Sequence, residues 1–366
     1  MRMYTVCALL LMMIGTVVAD DAQVAKDKLF IAALSRLSID VKSNAAIKAK
    51  LDGVLDRNKG TEQFVELVDK FDLDDRVDDL LDLATAKPGE TLGVEAVKLV
   101  LKFKGNDQLN KLICGKDEKK ADATLKVLGF AQLPAANDMI AAVALDTKQT
   151  KPRRTAAIRA LGNNRGGEQL LLSLVKQKKL SEDMHFVVGS VLFASLDGEI
   201  RKAAEKALPR PTVAGGKALA PVAELVKIKG DAAKGKVVYQ TFCFICHQVD
   251  GVGIDFGPAL SEIGSKLPKS ELFISILDPG AGVSFNYEGY RVKLKSGQEV
   301  IGLQVSNADD ELALKMPGGI VNKYKKSDIV SQQVMKESLM TPGLEKAMTQ
   351  QQLVDLVEYL ASLKKK

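Results

Sequence analysis

Apolar residues recur every three or four positions from about Ala22 to Lys227, and glycine, proline or short polar clusters break the pattern at intervals. This spacing places the apolar side chains of each segment on one face of a helix. A convincing alternation of apolar and polar residues, which marks a strand, is not found in this region. The N-terminal part of the chain is therefore predicted to be a succession of helices.

Two stretches of this region are alike, Ala123 to Gly129 and Ala156 to Gly162, and they begin 33 positions apart. Glu95 to Leu101 is a fainter third copy. Their separation is within the range of stacked helical repeats, where each helix pair buries its apolar face against the next pair. The region resembles a HEAT-type array, and we predict an α-solenoid domain over residues 22–210.

The segment from Pro209 to Gly216 contains two prolines and two glycines, which interrupt helix formation. We predict a linker over residues 211–229 that ends in a helix from Pro221 to Lys229. A second domain is predicted over residues 230–366.

Short alternating segments replace the helical pattern between Tyr287 and Val330. Glycine-containing or Ser-Asn turns separate them, as in an antiparallel meander. We predict a small β-meander, about residues 287–330, inserted in an otherwise helical C-terminal domain. The predicted strands run from Tyr290 to Lys295, Glu299 to Val305, Leu312 to Met316 and Ile320 to Lys325.

The N-terminus has the three parts of a secretory signal: a charged start at Arg2, an apolar run from Val6 to Val18, and small residues before Asp20. We predict that residues 1–19, Cys7 included, are removed and that the mature protein is periplasmic or secreted. The apolar run is too short to span a bilayer comfortably, and no later stretch approaches the necessary length. A transmembrane segment is not expected in the mature chain.

The formal net charge is +6, yet the longest basic run is Lys364 to Lys366 and the chain has no tryptophan. Nucleic acid is therefore not an expected partner. After signal cleavage three cysteines remain, Cys114, Cys243 and Cys246. An odd number cannot form a framework made only of disulfides.

Cys243, Cys246 and His247 form the attachment motif for c-type haem. Two thiols three positions apart can both add to the vinyl groups of the porphyrin, and the histidine that follows is then held beneath the iron. A zinc site would need about four ligands, but there is no second Cys or His pair. A thioredoxin-like motif would follow a strand, whereas this motif follows a predicted helix. One covalent haem c is thus the predicted cofactor, ahead of a zinc half-site, a redox pair or a fortuitous match.

Two predicted helices flank this motif. Asp231 is placed to cap the first helix, and Gly235 leaves a notch where another helix can cross closely. Thr349 and Gln352 stand in capping-box register at the start of the last helix. The last helix has an apolar stripe formed by Leu353, Leu356, Val357 and Leu360.

A glycine-containing first helix, a haem-binding turn and a last helix with Tyr359 resemble the class I cytochromes c. In particular, residues 230–363 are similar to the haem-binding domain typical of planctomycete and verrucomicrobial proteins. The matching motifs are Cys243 to His247, Phe256-Gly257-Pro258, Ile276-Leu277-Asp278-Pro279, Ser338-Leu339-Met340 and Asp355 to Leu360.

The resemblance implies two roles beside the attachment motif. The backbone carbonyl of Pro258 accepts the second N–H of the His247 imidazole and fixes the ring. Met340 is the second axial ligand of the iron, from a loop just before the last helix. Thr341 stands directly after Met340, where the family more often has proline.

Other side chains remain alternatives for the second axial position. Met335 and Met348 lie near Met340, while Met316 falls in the meander, and methionine commonly fills apolar cores. His185, the only other histidine, could reach the iron from the helical domain, although a helix-surface position is the simpler interpretation. Cys114 is expected to be a buried small apolar residue without a function.

His/Met ligation would give a low-spin iron without an open coordination position, which favours electron transfer over catalysis. A thioether ligand and apolar residues around the haem would raise its reduction potential. We expect a one-electron carrier rather than an enzyme, docked through its helical repeats to a redox partner such as a separate periplasmic dehydrogenase. A haem-based redox or gas sensor is the alternative, and a peroxidase is disfavoured by the single motif and the shortage of histidines. The expected apolar haem lining is Phe256, Ile263, Leu267, Leu272 and Ile276.

Overall fold

The computed structural model describes residues 22–36, 40–208 and 219–365. The predicted signal over residues 1–19 and the predicted helix break at 209–216 lie outside these ranges. Contacts between Cα atoms divide the chain into two units, Met1–Arg76 and Val77–Lys366. The domain boundaries predicted near residues 210 and 230 stay predictions.

The described part of the first unit consists of helices joined by short turns. Asn44 and Thr61 begin its second and third helices by accepting hydrogen bonds from backbone N–H groups of the first turn, as N-caps do. Its α-helices are α1 (22–36), α2 (Ala45–Arg57) and α3 (Glu62–Lys70), followed by a 3-10 turn at Asp74–Arg76.

The second unit begins with the helical region, residues 77–208. Its helices are α4 (Val77–Ala86), α5 (Thr91–Lys102), α6 (Asn106–Ile113), α7 (Glu118–Ala131), α8 (Pro134–Leu145), α9 (Lys151–Leu161), α10 (Arg165–Lys176), α11 (His185–Phe193) and α12 (Gly198–Ala207). Helices that are two apart in the sequence pack together. For example, α7 contacts α9, α9 contacts α11, and α8 and α12 both contact α10. The predicted repeats meet where Gly129 of α7 lies against the backbone carbonyl of Ala160 in α9, so closely that a Cβ atom on Gly129 would overlap that oxygen.

The rest of the second unit combines further helices with a sheet. The helix predicted from Pro221 to Lys229 is shorter than expected, since only its apolar start forms a helix and the chain then turns before Asp231. The helices are α13 (Val222–Leu225), α14 (Ala232–Phe242), α15 (Ile263–Lys266), α16 (Lys269–Leu277) and α17 (Gln350–Ser362). Among the described residues, no helix combines the length and the apolar character needed to cross a membrane.

An antiparallel five-stranded sheet lies between α16 and α17 in the sequence, and its strands, counted along the chain, lie in the order four, three, two, one, five. The predicted meander is present, but the fifth strand was missed. It returns to pair with the first strand of the meander, and Tyr290 lies opposite Val334. The strands are β3 (Gly289–Leu294), β4 (Glu299–Asn307), β5 (Glu311–Lys315), β6 (Val321–Lys325) and β7 (Ile329–Val334), preceded by the hairpin β1 (Gln248–Val249) and β2 (Val252–Gly253).

This sheet contacts both the helical region and the haem-motif part of the chain. Toward the helical region, Lys98 donates to Asn322 at 2.6 Å, and Arg165 pairs with Glu299 at 3.0 Å. On the other side, Lys315 pairs with Asp255 at 2.7 Å, a few residues after the cysteine motif. The insert therefore connects the two helical parts of the second unit.

Candidate functional site

The attachment turn, residues 243–247, begins where α14 ends. Asp231 caps α14 by accepting hydrogen bonds from the backbone N–H groups of the first helical turn, as predicted. At the other end, the N–H groups of Cys246 and His247 both donate to the carbonyl oxygen of Cys243, at 3.0 and 2.9 Å. These bonds close a single tight turn that brings both thiols and the imidazole together.

Tyr239 fixes the far end of this turn. Its hydroxyl donates to the carbonyl oxygen of His247 at 2.7 Å, and its ring packs on that of Tyr359, with 5.6 Å between centroids. Burial, followed by the nearby Tyr359 and Cys243 groups, raises the pKa of Tyr239 to about 12, so it stays a hydrogen-bond donor. The role of Tyr239 could not be predicted from the sequence, because its bond to residue 247 depends on how the turn folds back.

The imidazole of His247 is held in one orientation. Its Nδ1 lies 2.8 Å from the carbonyl oxygen of Pro258, the contact that the family resemblance implies. Gly257 lies against the ring so closely that a Cβ atom there would be 2.5 Å from Cε1 of His247. The residue before the proline must therefore be glycine for the imidazole to keep this position.

The protonation of this ring follows from its surroundings. Burial lowers the pKa of His247 more than the hydrogen bond to Pro258 raises it, so the neutral imidazole is favoured. Since a carbonyl oxygen can only accept, Nδ1 carries the hydrogen and Nε2 keeps its lone pair. A neutral imidazole with a tethered Nδ1 and a free Nε2 is the usual form of a histidine metal ligand.

Neither cysteine of the turn is in a disulfide, and both are half-buried. Burial, helped by neighbouring Cys246, raises the pKa of Cys243 to about 12, and burial raises the pKa of Cys246 to about 11. Both are therefore neutral thiols in apolar surroundings. An apolar setting is also what a porphyrin ring requires.

Helices α14 and α17 cross where the sequence predicts. A Cβ atom on Gly235 would overlap the carbonyl oxygen of Asp355, so the crossing requires glycine at this position. Thr349 and Gln352 form the predicted capping box at the start of α17. The predicted stripe of α17 is buried, which fixes α14 and hence the start of the attachment turn.

Two apolar clusters flank the turn. Cys243 belongs to the first, together with residues of α14, α16 and α17, and Cys246 belongs to the second, together with residues of the sheet. The predicted apolar lining is divided between them. Ile263, Leu267, Leu272 and Ile276 lie in the first cluster and Phe256 in the second.

The methionines are distributed over these clusters. Met340 is half-buried and packs against the cluster that contains Cys243, while Met348 is in the core of that cluster at 2% exposure. Met335 and Cys246 both pack against the other cluster. Met316 lies in the separate core of the sheet. Three of the four methionines thus belong to the two apolar clusters that include the cysteines.

His185 and Cys114 lie away from this site. His185 starts α11 and lines a surface cleft with residues of α10 and α12, such as Lys176 and Lys202. Cys114 is exposed, so the prediction of burial was wrong. It is the residue that ends α6, one position beyond the buried stripe of Leu109 and Ile113.

The described side chains fit a covalently attached haem. Cys243 and Cys246 present free thiols on one turn, the Nε2 atom of His247 has an available lone pair, and apolar residues stand on both sides. The same side chains fit a metal ion bound only by protein ligands less well. In the part of the chain that the structure describes, no three His, Cys, Asp or Glu side chains cluster as a metal site would require.

Comparison with known families agrees with this geometry. Residues 232–309 match the family model of Cytochrome c, a span that includes Cys243, Cys246, His247 and Pro258. This part of the chain is a cytochrome c-like, haem-binding domain of the kind found in electron-transfer proteins. No curated protein matches the sequence.

Proposed function

We propose that this chain is an exported mono-haem c-type cytochrome that carries one electron at a time between redox partners. The observation that carries the proposal is the attachment turn, in which Cys243, Cys246 and His247 share one turn and Pro258 orients the imidazole. When bound, the haem iron supplies a one-electron couple. The protein supplies the attachment, the ligands and the apolar surroundings.

Each residue of the turn has a distinct task in this proposal. The sulfurs of Cys243 and Cys246 would hold the haem by adding to its vinyl groups. The Nε2 atom of His247 would bind the iron, and the Pro258 carbonyl keeps the hydrogen on Nδ1 and prevents the ring from rotating. The hydroxyl of Tyr239 binds the backbone carbonyl of His247 and so limits the movement of this residue away from the haem site.

Met340 is the second residue that would hold the iron. It lies in the methionine loop, residues 338–342, and packs against the cluster that contains Cys243. Its side chain is partly exposed, so it can turn toward an iron without leaving a cavity in a core. Met348 is almost fully buried in the apolar cluster that contains residues of α14 and α17, and moving it would disrupt that packing.

Electron transfer follows from this ligand set. If His247 and Met340 both hold the iron, no position would remain for a substrate, and the thioether and the apolar surroundings would raise the reduction potential. We assign residues 230–366 to the planctomycete and verrucomicrobial type of haem domain. We further propose that the helical repeats are a HEAT-like platform for a redox partner such as a periplasmic dehydrogenase.

Visible absorption spectroscopy of the purified protein tests this function. A low-spin spectrum with a sulfur-to-iron charge-transfer band in the oxidised state is expected. A high-spin, five-coordinate spectrum would refute the carrier and favour a protein that binds a small ligand at the iron. Reduction of the protein by a co-purifying dehydrogenase would support the proposed partner.

A further inference from the structure

A short segment of the helical region approaches the chain around Met340 through one hydrogen bond and one shared apolar cluster. This anchoring segment, residues 194–197, joins α11 to α12. The hydroxyl of Thr341 donates to the carbonyl oxygen of Ala194 at 3.1 Å. On the other side of Met340, Leu339 is in the same apolar cluster as Leu196, a cluster that also includes Cys246.

The anchoring segment is rigidly held by the helices around it. The side chain of Ser195 is buried, donates to Glu168 at 2.7 Å and accepts from the N–H of Asp197 at 3.1 Å. Arg201 donates to the carbonyl oxygen of Ser195 at 2.5 Å. Each polar group named here has a hydrogen-bond partner. The segment is therefore expected to move little when the neighbouring loop moves.

Two arginines fix the end of the segment to the sheet. Asp197 is 1% exposed and accepts from Arg165 at 2.7 Å and from Arg291 of β3 at 3.2 Å. Burial alone would raise the pKa of Asp197, but the two arginines outweigh it and hold the pKa at about 2. The carboxylate is therefore charged at neutral pH, and both ion pairs are present.

The same strand supports the methionine loop from the other side. Leu339 lies over Gly289 at the start of β3, and a Cβ atom on Gly289 would be 2.7 Å from a methyl carbon of Leu339. The anchoring segment and the loop are therefore both fixed to β3, two residues apart along the strand. The relative position of the segment and the loop is therefore determined by their common attachment to β3 as well as by the direct hydrogen bond between them.

We propose that the anchoring segment positions the methionine loop and that Thr341 and Leu339 are positioning residues for Met340. This inference rests on the proposed function in one respect, that Met340 is the iron ligand. It gives the helical region a role in the strength of the sulfur–iron bond, because residues 194–197 limit how far Met340 can retreat. It also gives the sheet a role, as the common support of both segments.

Displacement of the methionine by imidazole tests the proposal. The haem-loaded full chain is compared as wild type, Thr341→Val and Thr341→Ser, and Thr85→Val is the matched control. Thr85 also donates to a backbone carbonyl, at 2.9 Å, but within helix α4. Binding of imidazole to the oxidised protein is followed by loss of the sulfur-to-iron band. Hydrogen exchange of residues 335–343 is measured in parallel, since it reports the loop whether or not its sulfur binds iron.

We expect Thr341→Val to bind imidazole roughly two- to tenfold more tightly, as loss of one net hydrogen bond predicts, and to exchange faster in the loop. Thr341→Ser and Thr85→Val should match the wild type in both measurements. Unchanged exchange in Thr341→Val would refute the tether. Faster exchange with unchanged imidazole binding would show that the loop is held without any effect on the ligand, and would also refute the proposal.

The failure of the proposed ligand would be recognised separately. If the wild-type protein lacks the sulfur-to-iron band, or if Met340→Ala retains it, Met340 is not the ligand. Either result overturns the positioning role together with the ligand assignment, and neither depends on the behaviour of the Thr341 variants.

Discussion

The attachment turn and the methionine loop are held in different ways. His247 is fixed by Tyr239 and Pro258, which are 8 and 11 positions away in the sequence. Thr341, beside Met340, is fixed by Ala194, which is 147 positions away. A turn of the first kind is specified by its own short sequence. A loop of the second kind depends on the fold of the whole second unit.

The largest effect is expected when the two cysteines of the attachment turn are replaced. Replacing both Cys243 and Cys246 by serine should abolish covalent haem completely, because no sulfur remains to form a thioether. Haem staining after denaturing electrophoresis measures this loss. Cys114→Ser is the control: the thiol of Cys114 is exposed and away from the site, so this variant should stain like the wild type.

A second variant addresses the methionine loop alone. Met340→Ala should keep the covalent haem but lose the sulfur-to-iron band and lower the reduction potential, within the range of ~0.8 V that axial ligands span. Spectroelectrochemical titration measures both changes. Met335→Ala and Met348→Ala should retain the band. If one of them lost it instead, the ligand would be assigned to the wrong methionine.

A variant at the crossing of α14 and α17 tests how much the surrounding fold depends on the close approach of these helices. Gly235→Val should destabilise the second unit by about 3 kcal/mol or more, since α14 and α17 must move apart to admit the side chain. Chemical denaturation measures the change. Gly53→Ala is a helical control, with only the tip of Arg57 nearby at 3.5 Å, and should stabilise by up to about 1 kcal/mol. An unchanged stability in Gly235→Val would contradict the close crossing.

A further effect, spread over several pH units, concerns the support of the anchoring segment. Burial raises the pKa of Glu168 to about 8, despite the hydrogen bond from Ser195 and the nearby Arg165 and Arg201, while the charge of Asp197 adds to the increase. The folded chain therefore binds a proton at Glu168 that the unfolded chain releases above its ordinary pKa of 4.5. Stability should fall as the pH rises from about 4.5 to 8, by at most about 1.4 kcal/mol per pH unit from this group.

Glu168→Gln isolates that contribution. The neutral amide keeps the shape of the protonated carboxyl, so the variant should have a flatter dependence of unfolding free energy on pH over the same range. Denaturation at several pH values gives both curves. Parallel curves for the wild type and the variant would show that Glu168 does not retain its proton in the fold.

Much of the local structure around the haem motif could be predicted from the sequence. Asp231, Gly235 and the Thr349–Gln352 pair act within one helix turn or leave space where a neighbour must approach, so residue type alone indicates their role. Four strands of the sheet were predicted from their alternation and turns. The fifth, β7, was missed because it is an exposed edge strand whose apolar residues do not alternate, and its pairing has a bulge opposite Lys293 and Leu294.

The contacts of the anchoring segment could not be predicted. Ala194 and Leu196 carry no motif, and their importance depends on which loop the tertiary fold places beside them. The burial of Cys114 was predicted wrongly for a related reason. A helix end determines its exposure, and sequence patterns locate helix ends only to within a few residues.

The contact of Thr341 with Ala194 has a consequence for the order of folding. Closing a loop over so long a separation costs more conformational entropy than forming the attachment turn, and contacts of this kind form late. During refolding of the haem-bearing chain, we therefore expect the histidine side of the iron to be complete first. Until the methionine loop reaches its place, the Met340 side of the iron would be open to any soluble base. Binding of the Met340 sulfur would then be the slowest step of refolding.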